Sequence, residues 1–168
     1  MTHHGYSHVG LSTLDMDRTL DFYENILGFT RVRGDIMNVK EGGQIRHVFL
    51  DTGQGQLLAF MEPKGVEGIP SDYDAGINRG LGVPDGFYHF AFEAGSVTGL
   101  EKKRTELLEK GIKVSEIVDH DGWCKSIYFK DPNNIQLEYC CMTRELTPED
   151  AELRVRAEIS RRDRRDRG

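Results

Sequence analysis

Ile127-Tyr128-Phe129-Lys130-Asp131-Pro132-Asn133-Asn134-Ile135-Gln136-Leu137-Glu138-Tyr139 is the stretch that decides the fold. Two apolar runs flank Asp131-Pro132-Asn133-Asn134, a turn whose residues favour tight reversal. Laid over Val48–Phe60 at an offset of 79, the stretch matches without a gap, strand on strand and polar turn on polar turn. Self-similarity at a fixed spacing marks a repeated structural unit.

The first half opens with a strand over 6–12. A helix follows in Asp15–Gly28, where Leu20, Phe22, Tyr23, Ile26 and Leu27 recur at helical spacing, Asp15 is a candidate N-cap and Gly28 a stop. Strands are expected at about 29–37, 45–52 and 55–62. The second half repeats the plan: a strand at about 87–93, a helix at 97–110 ending before Gly111, and strands near 112–118, 123–130 and 134–141. Between the halves, residues 63–86 hold Pro63, Pro70 and Pro84, a length that suggests a lid or an interface segment. Thr147-Pro148-Glu149-Asp150 announces a C-terminal helix.

The repeat pairs His8 with His89 at an offset of 81 and places Ala59 where the second half has Glu138. Two histidines and one carboxylate form a ligand set for an open divalent-metal site, and a carboxylate between Leu137 and Tyr139 is costly to bury unless paired. A strand histidine taken alone is more often structural; the shared repeat position weakens that alternative. Glu62 has the opposite strand parity and is expected to be a surface acid before Pro63. Phe49, Phe60, Met61, Trp123 and Tyr139 are either pocket lining or simple core. His3 and His4 receive no role.

Composition sets the limits. The chain has 168 residues and a net charge of −6; from Arg154 onward seven Arg face three acidic residues, a local +4 that leaves −10 for the body. An acidic body argues against nucleic-acid binding as the main role, and the arginine tail is expected to be a solvated terminus. The apolar runs are strand-sized, so no membrane span is expected. No secretory signal is visible, and Cys124, Cys140 and Cys141 are too few and too clustered for a disulfide framework, which suits a cytoplasmic protein.

His8-Val9-Gly10-Leu11, Asp21–Phe29, Tyr88-His89-Phe90-Ala91-Phe92 and Phe129–Glu138 together resemble the vicinal oxygen chelate superfamily, which includes glyoxalase I, extradiol dioxygenases, bleomycin- and fosfomycin-resistance proteins and methylmalonyl-CoA epimerase. The resemblance implies an α+β fold of two tandem βαβββ modules, forming an open, cupped mixed sheet around a metal. One domain would span 1–142, with module one at about 5–62, the linking loop at 63–86 and module two at about 87–142. Residues 143–168 would form a C-terminal helix and Arg-rich tail. The implied metal ligands are His8, His89 and Glu138. Fe(II) suits such a set best, with Mn, Ni, Co or Zn as other options.

Glyoxalase I typically carries a second acid at the position of Ala59, so the alanine turns the comparison toward the extradiol dioxygenases. Tyr128, ten residues before Glu138, matches a tyrosine of those enzymes; it also matches Phe49 of the first half as a plain strand aromatic. His120, expected on a loop, lies near another of their histidines, and is equally readable as a solvent-exposed residue. Their remaining active-site histidine would fall near Gln56, which cannot titrate. The expected function is therefore a metal-dependent dioxygenase-like enzyme acting on a small aromatic or vicinal-oxygen substrate. The alternatives are a glyoxalase-like isomerase, epimerase or lyase, and a non-catalytic drug-sequestering protein. A homodimer is implied, with 63–86 or the C-terminal helix at the interface.

Overall fold

The computed structural model describes residues 5–153. His3, His4 and the segment from Arg154 onward, with the tail and the greater part of the expected C-terminal helix, lie outside the described residues. The chain divides into two compact units, one holding residues up to Tyr88 together with Asp131–Ile135, the other His89–Lys130 and the chain from Gln136.

The first unit holds β1 (His8–Ser12), α1 (Met16–Leu20), β2 (Thr30–Asn38), β3 (Gln44–Gly53), β4 (Gln56–Lys64) and α2 (Ile77–Leu81). Its strands form an open mixed sheet in the order β1-β4-β3-β2, with β1 parallel to β4 and the other pairs antiparallel. Asp15 caps α1 as its position suggests, its side chain accepting the Arg18 N–H at 3.0 Å. The helix then widens into a π-helical turn over Asp21–Ile26, which leaves the adjacent Phe22 and Tyr23 both buried. Tyr23 lies 4.9 Å from Phe60 between ring centroids, and its hydroxyl donates to Asp131 Oδ2 at 3.1 Å.

The second unit repeats the topology. It holds β5 (Phe90–Glu93), α3 (Val97–Glu109), β6 (Val118–His120), β7 (Cys124–Lys130) and β8 (Gln136–Met142), in the sheet order β5-β8-β7-β6 with β5 parallel to β8. Ser96 caps α3 by accepting the Gly99 N–H at 3.0 Å. One face of each sheet meets its own helix: Leu58, Phe60, Leu137, Tyr139, Ile127 and Phe129 are buried there at alternating positions, as a half-buried strand requires. The fold is thus α+β, from two open mixed sheets.

Five expectations change. The strand sought near 112–118 is confined to Val118–His120, because Ser115 follows β7 by donating its N–H to the Tyr128 carbonyl (2.9 Å) while its Oγ accepts the Tyr128 N–H (3.0 Å). His120 consequently ends a strand rather than sitting in a loop. The strand sought over 87–93 begins only at Phe90, since the buried Asn78 side chain occupies both the carbonyl and the N–H of Tyr88, at 2.7 and 2.9 Å. Residues 63–86 therefore contain α2 and are tied into the first unit. Beyond β8, the described part of the expected helix is a 3-10 turn, Pro148–Ala151, capped reciprocally by Thr147 and Asp150. Among the described residues no helix is long and apolar enough to cross a membrane.

Candidate functional site

The two ladders verify the repeat residue by residue. Glu138 pairs with Ala91 on one side and Tyr128 on the other. Ala59 pairs with Gly10 and Phe49. At the repeat offsets these are the same three positions, so Ala59 does stand where the second unit has its carboxylate. Strand alternation then puts His8, Phe49, Ala59 and His47 on one face of the first sheet, away from α1. The rings agree: His8 and His47 lie 5.8 and 4.4 Å from Phe49 between centroids. Ser7 Oγ and His8 Nδ1 lie 3.0 Å apart.

In the second unit Glu138 faces the corresponding side. It is 5% exposed. Its Oε2 lies 3.1 Å from His89 Nε2, and its Oε1 accepts a hydrogen bond from the buried Ser126 hydroxyl. His89 is partly exposed and precedes β5. A buried carboxylate beside an open imidazole joins a hard donor to a borderline one, a pair suited to a divalent cation. The structure thus brings His89 and Glu138 together within one unit and places His8 at the equivalent position of the other.

Tyr128 stands opposite Glu138, and its hydroxyl lies 3.0 Å from His120 Nε2. Burial, reinforced by the negative charge of Glu138, pushes the phenol up to about 12. At neutral pH the hydroxyl therefore keeps its proton and can donate it in a hydrogen bond. The imidazole of His120 is half-buried, its ring 6.3 Å from that of Trp123 between centroids. This couples the two residues that the sequence proposes separately.

Other expectations need correcting. Glu62 is not a surface acid: it is 2% exposed, accepts the Met16 N–H at 3.1 Å, and pairs with Arg46 (3.3 Å) and Lys64 (3.4 Å). Its parity turns it to the α1 side, where it serves the start of the helix. Phe60 and Tyr139 are core rather than pocket lining, packed on Tyr23 and on Phe129 respectively. Phe49, Met61 and Trp123 are only partly covered.

Sequence reasoning passed over two cysteines. The buried Cys124 and half-buried Cys140 lie on the Glu138 face, with one Sγ from each and a Glu138 oxygen all within 4.8 Å of one another. The signal was available for Cys140, which follows Glu138 by two and so shares its side of the strand. Cys141 turns to the opposite, core side and is buried. Burial, then the charge of Glu138, pushes the Cys140 thiol up to about 12.

The chain belongs to the glyoxalase/bleomycin resistance protein/dioxygenase superfamily, whose model matches residues 5–139. Solved structures agree in fold. A glyoxalase family protein from Enterococcus faecalis is 23% identical, with 83% of this chain and 99% of that one aligned at a TM-score of 0.59. A lactoylglutathione lyase from Agrobacterium tumefaciens is 20% identical over 84% and 96% of the two chains, at 0.57. TnmS3, an antibiotic binding protein from Streptomyces sp. CB03234, is 15% identical over 84% and 98%, also at 0.57. At these identities the likeness shows the fold alone. No curated protein is detectably similar in sequence.

Proposed function

We propose that this chain is a metal-dependent enzyme of the extradiol-dioxygenase type, acting on a small aromatic or other vicinal-oxygen substrate. His8, His89 and Glu138 would hold the metal, Fe(II) best, with Mn, Ni, Co or Zn as other options. The donors at hand suit that set: an open imidazole next to a buried carboxylate, and a second imidazole at the repeat-related position. When bound, such a cation supplies Lewis acidity toward the substrate's neighbouring oxygens. In this reading residues 1–142 work as one domain. The three free cysteines suit a reducing cytoplasm, and the homodimer implied by family resemblance belongs to the same proposal.

The observation that carries the reading is the 3.0 Å contact between Tyr128 Oη and His120 Nε2 on the Glu138 face. A protonated phenol there steadies an oxygen anion on the substrate. The imidazole beside it is placed to pass a proton to or from the bound substrate. Ala59, in place of a second acid, disfavours the glyoxalase-like isomerase or lyase.

The test is metal analysis of protein purified without chelator, followed by oxygen uptake with catechols. Stoichiometric metal and oxygen uptake are expected. Metal without oxygen uptake would instead indicate the isomerase or lyase class. Metal-poor protein that takes up no Fe(II) would indicate a drug-sequestering protein. Retention of full metal by both His8→Ala and Glu138→Ala would sink the ligand assignment.

A further inference from the structure

We infer that the second unit carries a thiolate-bearing metal site, formed by Cys124, Glu138 and Cys140 and suited to a borderline-soft divalent cation such as Zn2+. It stands apart from the reading above, sharing Glu138 but needing neither His8 nor any dioxygen chemistry. Two sulfurs and a carboxylate oxygen lie within 4.8 Å of one another, all on the face of the sheet turned away from α3. Around a tetrahedral zinc, with Zn–S near 2.3 Å, neighbouring sulfurs stand about 3.8 Å apart, so inward side-chain shifts of about 1 Å complete the set.

The orientation of Glu138 supports two separate uses of its oxygens. Oε2 is turned to His89 at 3.1 Å. Oε1 is turned to Ser126, whose hydroxyl lies 3.7 Å from Cys124 Sγ. One carboxylate oxygen therefore serves the imidazole side and the other the thiol side. Glu93, paired with Cys140 across the β5–β8 ladder, adds negative charge to this edge. Isolated buried cysteines behave as small hydrophobes. Hydrophobic packing alone, however, gives no reason for two thiols to converge on a buried carboxylate that already has Ser126 and His89 as partners.

Binding replaces two S–H bonds with two metal–sulfur bonds and releases both protons to solvent. Half-buried Cys140 leaves the ion a path in, and thiolate donors favour zinc over hard cations such as Mg2+ or Mn2+.

Full-length protein stripped of metal is titrated with Co(II), a spectroscopic stand-in for zinc. A thiolate-to-cobalt charge-transfer band in the near ultraviolet should grow to one equivalent. The band should vanish in Cys124→Ser and Cys140→Ser but survive in His8→Ala. Failure of the dioxygenase reading leaves this pattern untouched. Absence of the band in wild type, or its persistence in both cysteine variants, overturns the inference. Should the variants not fold, alkylation of the wild type decides. Zn2+ should slow modification of Cys140 about tenfold or more, since only the free thiolate reacts, while the rate at Cys141 stays unchanged. Equal rates at Cys140 with and without Zn2+ also overturn it.

Discussion

The hydroxyl of Tyr128 lies 3.0 Å from Nε2 of His120, and the same tyrosine stands opposite Glu138 in the β7–β8 ladder. A phenol held protonated by burial and by a neighbouring carboxylate is a hydrogen-bond donor at neutral pH, not a base. Tyr128→Phe removes only the hydroxyl. If the proposed dioxygenase activity holds, oxygen uptake with catechols is expected to fall about 10²-fold, the scale of losing one hydrogen-bond donor to a developing oxygen anion. His120→Asn should cost a similar factor. Because both act through one hydrogen bond, the double variant should be little worse than either single one. Steady-state rates of the four proteins, with metal content measured alongside, check this; multiplicative losses would refute the coupling.

Glu62 makes a second prediction, on stability instead of activity. Its buried carboxylate accepts the first N–H of α1 and compensates Arg46 and Lys64. Glu62→Ala orphans the Met16 N–H and removes the anion facing two cations. The loss should be about 2–3 kcal/mol, the range for breaking a buried hydrogen-bonded charge pair whose cations remain partly solvated. Glu62→Gln keeps an acceptor and should lose about half as much. Urea unfolding measures both, and metal stoichiometry should stay at the wild-type value in each.

What could be read from the sequence was whatever repeats. The offset of Ile127–Tyr139 over Val48–Phe60 fixes four strands, and the ladders return the same partners around Ala59 and Glu138. Apolar alternation also assigns most buried positions. Features resting on one side chain meeting a backbone group left no periodic trace. Asn78 occupying both polar groups of Tyr88 delays β5, Ser115 replaces a regular ladder beside β7, and Glu62 reaches the start of α1. Each is a hydrogen bond between residues ten or more apart, made by a residue type common on surfaces, so hydrophobic pattern points the wrong way. The cysteine pair was hidden differently. Cys124 and Cys140 meet diagonally across a hairpin, and only the register brings them together.

Asp131 links stability to pH. It is 5% exposed, accepting the Tyr23 hydroxyl and the N–H groups of Asn133 and Ile135. Burial nevertheless outweighs these bonds and raises its pKa above the ordinary 3.8. The folded protein then holds this proton more tightly than the unfolded chain does. Its contribution is complete below the unfolded value and is lost as pH rises through the raised folded one. Asp131→Asn cannot titrate. The stability of wild type minus that of the variant should therefore shrink as pH rises from about 4, a trend that urea unfolding at stepped pH reads directly. A gap that widens with pH would contradict the burial argument.

Ala59 offers the sharpest test of the asymmetry between the halves. It occupies the position of Glu138, flanked by Gly10 and Phe49 as Glu138 is by Ala91 and Tyr128. Two ladder steps toward the start of β1, on the same face, lies His8. In the proposed ligand set of His8, His89 and Glu138, Ala59→Glu would supply a second carboxylate and so a fourth protein ligand. An added anionic donor should tighten Ni(II) or Zn(II) binding by about tenfold. It would also take one of the positions left free for substrate and dioxygen, so oxygen uptake should fall even as metal is held more firmly. Ala59→Gln, equal in size but uncharged, separates charge from crowding. If the glutamine variant binds metal as tightly as the glutamate variant, the vacancy at residue 59 has no bearing on the ligand set. If only the glutamate variant gains affinity, the alanine is what keeps this site three-coordinate in protein donors.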